Sequence, residues 1–391
     1  MEMLHTVLNR GRSTWDRERI SEDEFHSRLS LVRQGMKDRN VDLLLVYGDS
    51  WRFGNLAFIS HFIPKNRGAL AVVTMEGEPA LIVQEPSRNN PFSKTLTWID
   101  EVRSVGQFAQ GLGDALKAKG LKPKRAGLVA VQEQLNIREW NGLAKVLEGA
   151  ELRDLSDLLV SLRLVKSASE QALLRHAGQV LEQSLSLFGK EVRSGQKEYE
   201  IMAIVEREAR RQGVEDFRFL LARSSEPHVG LRPAGPNPIQ KEEALLVAIA
   251  ASYQRYWSEI GRTFCVGGAS QELVRGHNLA KSLFHKLVES IKVGSPPPTA
   301  GGWLSELPSL AVRNSLAAYG LGNGVGLDLT EEPFLGRDRG VEIRPGMVLT
   351  LRICLAGSEC GTALISQPFR VTENGLQSLV KPVDDLVLAE G

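Results

Sequence analysis

The chain of 391 residues has no apolar run approaching the eighteen or so residues that a membrane-spanning helix needs, so no membrane is expected as a partner. It is also poor in cysteine. Cys265, Cys354 and Cys360 are an odd number without metal-binding spacing, which argues against a disulfide framework and for a reducing cytoplasm. The opening stretch MEMLHTVLNRGRSTWDRERISEDEF is charged throughout and lacks the apolar core of a secretory signal. Nor is there an excess of one charge: 48 Lys and Arg face 47 Asp and Glu, which offers nothing to attract nucleic acid. A small molecule or a peptide is the expected partner.

What is present describes a globular chain, 42% hydrophobic and 24% charged, long enough for two domains. EFHSRLSLVRQGMKDRN has helical spacing and runs into VDLLLVYG, a buried strand. GALAVVTMEGEPALIVQ reads as two strands around a Gly turn, and helix, strand and helix follow to about residue 160. At RLVKSASEQALLRHA the pattern changes to a long amphipathic helix opened by Ser167 or Ser169, then a second helix from near Lys197 to Gly213. Beyond it RFLLARSS, ALLVAIAASY, GMVLTLRICLA and ALISQPFRVT read as strands separated by helices. The expectation is an α/β domain over 1–162 and an α+β domain over 163–391 with an antiparallel, helix-covered sheet.

Four segments in order, ALLVAIAASYQRYWSEIGRTFCVG, GLGNGVGLDLTEEP, RPGMVLTLRICLA and ALISQPFRVTENG, together with the RLVKSASEQALLRHA join, resemble the pita-bread family of creatinase, prolidase, aminopeptidase P and methionine aminopeptidase. The resemblance implies a C-terminal pita-bread domain after a smaller creatinase-like α/β domain. In the family's metallopeptidases two Asp, one His and two Glu hold two divalent metals. Carried across, these positions fall on Ala248, Glu259, Asn323, Arg352 and Ser366. Only Glu259 keeps metal-ligand chemistry. Hard divalent ions need several converging anionic oxygens, and a guanidinium among the ligands repels them, so no metal and no cofactor are expected.

The family's second His falls on Thr330, followed by Glu331 and Glu332. Its "P-H" loop His corresponds to His228 if the loop has shifted, since direct counting lands on Leu231. A creatinase-like reading follows: a metal-independent amidinohydrolase cleaving a C–N bond of a small guanidino compound. His228 would relay a proton, Glu259 and Glu331 would accept hydrogen bonds from nitrogen, and Arg352 would clamp an anionic end. Asn323, Thr330, Glu332 and Ser366 would contact substrate, and Cys354, on the Arg352 face of its strand, would be an activated thiol. The resemblance further implies a homodimer in which Trp51, Phe62 and Arg67 of the small domain line the neighbour's pocket. Two alternatives stand beside it: an inactive pseudo-peptidase serving as a binding module, and a Xaa-Pro peptidase.

Overall fold

The computed structural model describes residues 14–65, 67–226, 229–299, 307, 309–336, 341–357, 361–382 and 386–389. The chain forms two compact units, Met1–Arg163 and Leu164–Gly391. In the first, strands β1 (Leu43–Asp49), β2 (Gly68–Thr74), β3 (Ala80–Val83), β4 (Glu101–Ser104), β5 (Arg125–Val129) and β6 (Glu151–Asp154) make one sheet, ordered β4-β3-β2-β1-β5-β6. β1 is central and buried almost end to end, which is why LLLVYGD is apolar without alternation. Its Leu43, Leu45 and Tyr47 share a core with Leu70, Val72, Phe108 and Leu112.

A short helix, Gly54–Ser60, follows β1 in a stretch to which the sequence pattern assigned no element. It ends on His61 at φ +58°, and the chain then turns Phe62 inward. Six of its seven residues are buried, so packing and not propensity makes it a helix.

In the second unit β7 (Asp216–Arg223), β8 (Arg232–Pro233), β9 (Ala244–Tyr253), β10 (Tyr256–Val266), β11 (Gly322–Gly324), β12 (Glu331–Leu335), β13 (Val348–Gly357) and β14 (Gly361–Thr372) form a sheet ordered β12-β11-β13-β14-β10-β9-β7-β8. β15 (Gly375–Ser378) pairs with β14, and β16 (Val387–Ala389) pairs with β10. One face is covered by helices. Phe217, Phe219, Ile249 and Phe264 pack on Leu181, Phe188, Ile201 and Val205 of helices Ala168–Glu191 and Glu198–Arg211. Leu349, Leu351, Ile353 and Ile365 pack on Leu283, Phe284 and Leu316 of helices Gln271–Ser290 and Leu310–Tyr319. Each such large side chain stabilises the unit by roughly 1.5–3 kcal/mol on burial. No described helix is long and apolar enough to cross a membrane.

Strand β10 is anchored before its polar side chains begin. The β9–β10 turn puts Gln254 and Arg255 at φ +47° and +75°, the left-handed pair of a tight hairpin. Glu215 holds that turn, accepting from the Arg255 N–H at 2.9 Å and from Nη1 at 2.7 Å. Next, the Tyr256 hydroxyl donates to Glu170 Oε1 at 3.0 Å, while Glu170 Oε2 accepts from the Ser167 N–H in the capping box that starts helix Ala168–Glu191.

Candidate functional site

Because side chains alternate along a strand, the partners of the core-facing residues lie together on the other face of the second sheet. Register lays them out in rows. Leu220 pairs with Ala248, Ala248 with Gly261, Gly261 with Ser366, and Ser366 with Arg352. Beside that row Arg218 pairs with Ala250, and Ala250 with Glu259. The five positions that the family resemblance assigns to metal ligands fall on these rows or next to them: Ala248, Ser366 and Arg352 in the first, Glu259 in the second, and Asn323 opposite Thr350 on β13.

Glu259, Arg352 and Ser366 meet. Arg352 Nη2 and Nε donate to Glu259 Oε1 at 2.5 and 3.1 Å, and the Ser366 hydroxyl donates to the same oxygen at 3.1 Å. Arg352 Nη1 donates to the Tyr319 carbonyl at 3.3 Å. Burial works against the Arg352 charge, but the adjacent Glu259 carboxylate outweighs it and lifts the guanidinium pKa above its ordinary value. All three side-chain bonds converge on Oε1, and among the described residues nothing donates to Glu259 Oε2.

Around this polar group the face is apolar. Ala222, Leu246, Ala248, Cys354 and Leu364 form a cluster closed by Leu231 and Tyr319. Beside the polar group, this part of the face is filled by apolar side chains. Cys354 is fully buried there, so it is a core thiol and not an accessible nucleophile. Leu231, where counting placed the family's His, is one wall of the cluster. Burial raises the Tyr319 hydroxyl pKa, the Cys354 thiol adds to it, and the Leu231 N–H opposes it.

The remaining assigned residues are placed as follows. Asn323 is buried and donates to the carbonyls of Gly324 and Leu329, tying down the turn after β11. Glu331 forms an ion pair with Lys166 at 3.5 Å, both side chains nearly buried, and a Cβ on Gly326 would collide with that carboxylate. In the same stretch a Cβ on Gly324 would run into the Glu332 backbone carbonyl, which cannot give way as a side-chain tip can. Glu332 accepts from the Phe334 N–H, and Thr330 is exposed. His228 lies outside the described residues. In the first unit Trp51 is 60% exposed on a turn held by Asp49 Oδ1, and Arg67 is also exposed. Phe62 is buried in its own unit, which corrects the expectation that it lines another subunit's pocket.

Two residues on this face went unweighed at the sequence level. Arg218 is exposed and its guanidinium carbon sits 4.6 Å over the Trp257 ring, which is itself buried. Trp257 stands two residues before Glu259 on the same strand face. The alternation Arg218, Leu220, Ala222 was a signal that Arg218 shares a face with its apolar neighbours, but only register shows which strand lies beside it. A recess of about 670 Å³ bounded by Gln179, Glu182, Gln183 and the Ser378–Pro382 segment shares no residue with this face.

The ligand positions do not suit a pair of divalent metals. Hard cations need several anionic oxygens, and these five positions offer one carboxylate, already bound to a fixed cation. Among the described residues no group of three or more His, Cys, Asp or Glu is placed to hold a metal.

Comparison with known proteins sets this site in a family. Residues 172–373 match the model of metallopeptidase family M24, and residues 28–165 match the creatinase/prolidase N-terminal domain. The chain is 25% identical to a Xaa-Pro dipeptidase of Pyrococcus horikoshii over 381 residues, covering 93% of this chain and all of that protein. A Xaa-Pro dipeptidase of Pyrococcus furiosus is 27% identical over 250 residues, covering 61% of this chain and 69% of that protein. The solved prolidase of Pyrococcus horikoshii superposes with a TM-score of 0.76 at 23% identity, covering 92% of this chain and all of that one. A Bacillus anthracis Xaa-Pro dipeptidase gives 0.74 at 19%, covering 93% and 99%. The fold is therefore the expected one: a creatinase-like domain followed by a pita-bread domain. The expected chemistry is overturned. A peptidase family and relatives named as Xaa-Pro dipeptidases replace the reading of a metal-independent guanidino amidinohydrolase.

Proposed function

We propose that this chain, which belongs to metallopeptidase family M24, binds short peptides on its pita-bread face without hydrolysing them by the family's two-metal route. It is a pseudo-peptidase serving as a binding module. The observation that carries this reading is the Arg352 guanidinium locked on Glu259 Oε1, at two of the five ligand positions. A permanent cation at contact distance from the one remaining carboxylate opposes a divalent ion twice: it repels the metal and consumes the ligand. Ala248, sunk in the apolar cluster, supplies no donor. The names of the relatives, which span both domains, support short peptides as the ligand class.

Those same names favour a second reading, Xaa-Pro dipeptide hydrolysis, and one experiment separates the two. The purified chain is incubated with Ala-Pro and related dipeptides, with and without added manganese, cobalt or zinc, and proline release is followed beside calorimetric binding. The expected result is binding without proline release and without stoichiometric metal. Metal-dependent release of proline would sink the pseudo-peptidase reading.

A further inference from the structure

We propose that Arg218, laid on Trp257, is the anchor for the carboxylate of a short zwitterionic peptide whose amino end is held by Glu259 Oε2. The proposal rests on the peptide-binding reading and deepens it by naming the ends of the ligand.

Three features of the face lead there. First, Arg218 is a cation held in place but not neutralised. Its guanidinium carbon lies 4.6 Å over the Trp257 ring, and among the described residues no carboxylate pairs with it. Trp257 is 3% exposed, so its ring is packed in place beneath the guanidinium. Stacking leaves the in-plane N–H groups of a guanidinium pointing outward, the geometry that takes a carboxylate through two parallel hydrogen bonds. A cation exposed in this way loses little solvation until an anion arrives.

Second, Glu259 is half used. Arg352 and Ser366 saturate Oε1, and Oε2 receives nothing among the described residues. An ammonium or amide N–H is the complement of such an oxygen. Third, the two groups are spaced for a short ligand. Trp257, under Arg218, and Glu259 are two residues apart on one strand face, so their Cα atoms are separated by roughly 6.6 Å. A dipeptide backbone spans about 7 Å. The floor between them is small, because the residue that pairs with both Arg218 and Glu259 is Ala250, and Ala248 follows it on the same face. Larger residues there would fill the space over which a ligand lies.

The test is calorimetric titration of the full-length protein with Ala-Pro and with its C-terminal amide, which differ in the carboxylate alone. The unaltered chain should prefer the acid by about tenfold or more, the usual worth of a charged hydrogen-bonded pair. R218A should bind both peptides with the same weak affinity, and R218K, which keeps the charge but not the planar fork, should fall between. Because Arg218 is exposed, the unfolding transition of R218A should match that of the unaltered chain, which separates loss of the anchor from loss of fold. If R218A keeps the preference for the acid, the anchor lies elsewhere and peptide binding stands. If the unaltered chain binds neither peptide, the peptide reading falls and the anchor with it.

Discussion

Two groups of charged side chains in the second unit use the same residue types to opposite ends. At the end of β7, Glu243 accepts from Arg223 Nε at 2.9 Å and Nη2 at 2.7 Å, from the Gln240 N–H at 3.0 Å, and from the Ser225 hydroxyl. Glu198, wholly buried, accepts from Arg232, from Arg223 and from the Gly235 N–H. Every carboxylate oxygen there has donors, and the network staples the 224–238 loop to the start of helix Glu198–Arg211. Glu259 and Arg352 also pair through two N–H groups, yet both converge on Oε1, and among the described residues Oε2 has no donor and a second cation, Arg218, has no carboxylate partner. A saturated network is a brace, because nothing in it can exchange partners without loss. An unsaturated one is where a ligand can gain.

The comparison can be broken at its strongest point first. Arg223→Met removes the cation shared by two buried carboxylates and should cost about 3–5 kcal/mol in denaturant unfolding; a loss near zero would mean that the loop is held by other contacts. Arg352→Ala should cost less, about 1–3 kcal/mol, because its pair retains 18% and 14% side-chain exposure. The double variant Arg352→Met with Glu259→Leu should recover most of that loss, since replacing both members of a pair by apolar groups is often neutral. Failure to recover would show that the pair contributes more than mutual neutralisation.

The smallest expected effect is in pH. Burial pushes the Glu198 carboxyl upward, but the Arg232 hydrogen bond, the Gly235 N–H and the charges of Arg232 and Arg223 outweigh it and hold the pKa below the ordinary 4.5. A depressed carboxylate stabilises the fold above its unfolded value, and that contribution is lost as pH falls through the folded one. Thermal unfolding from pH 7 downward should therefore show the gap between the unaltered chain and Glu198→Gln narrowing below about 4.5. A gap that stays constant into acid would remove Glu198 from the linkage.

Much of the architecture was legible in the chain. The apolar run in β1, the helix start at Ser167, one of two caps the pattern offers, and the strands carrying TLRICLA and ALISQPF all follow from local pattern. The residue types at the positions that the resemblance assigns to ligands, Ala248 and Arg352 among them, are likewise read from the chain. The chemistry built on them was not legible. A list of polar residues at assigned positions resembled a pocket for a guanidino compound, but Asn323 serves a turn, Glu331 serves Lys166, and Cys354 is buried among apolar side chains. The helix Gly54–Ser60 was missed because its stability comes from burial rather than from caps or propensity.

By itself, then, the sequence determined the two-domain order and the antiparallel sheet, because periodicity is a property of residues along one strand. Only the tertiary structure decided which charges meet. Arg352 and Glu259 lie 93 residues apart and Arg218 and Trp257 lie on strands that do not adjoin, so their contacts depend on register across a sheet. Register is set by the packing of the opposite, apolar face, and a shift of one residue would turn each of these side chains into the core.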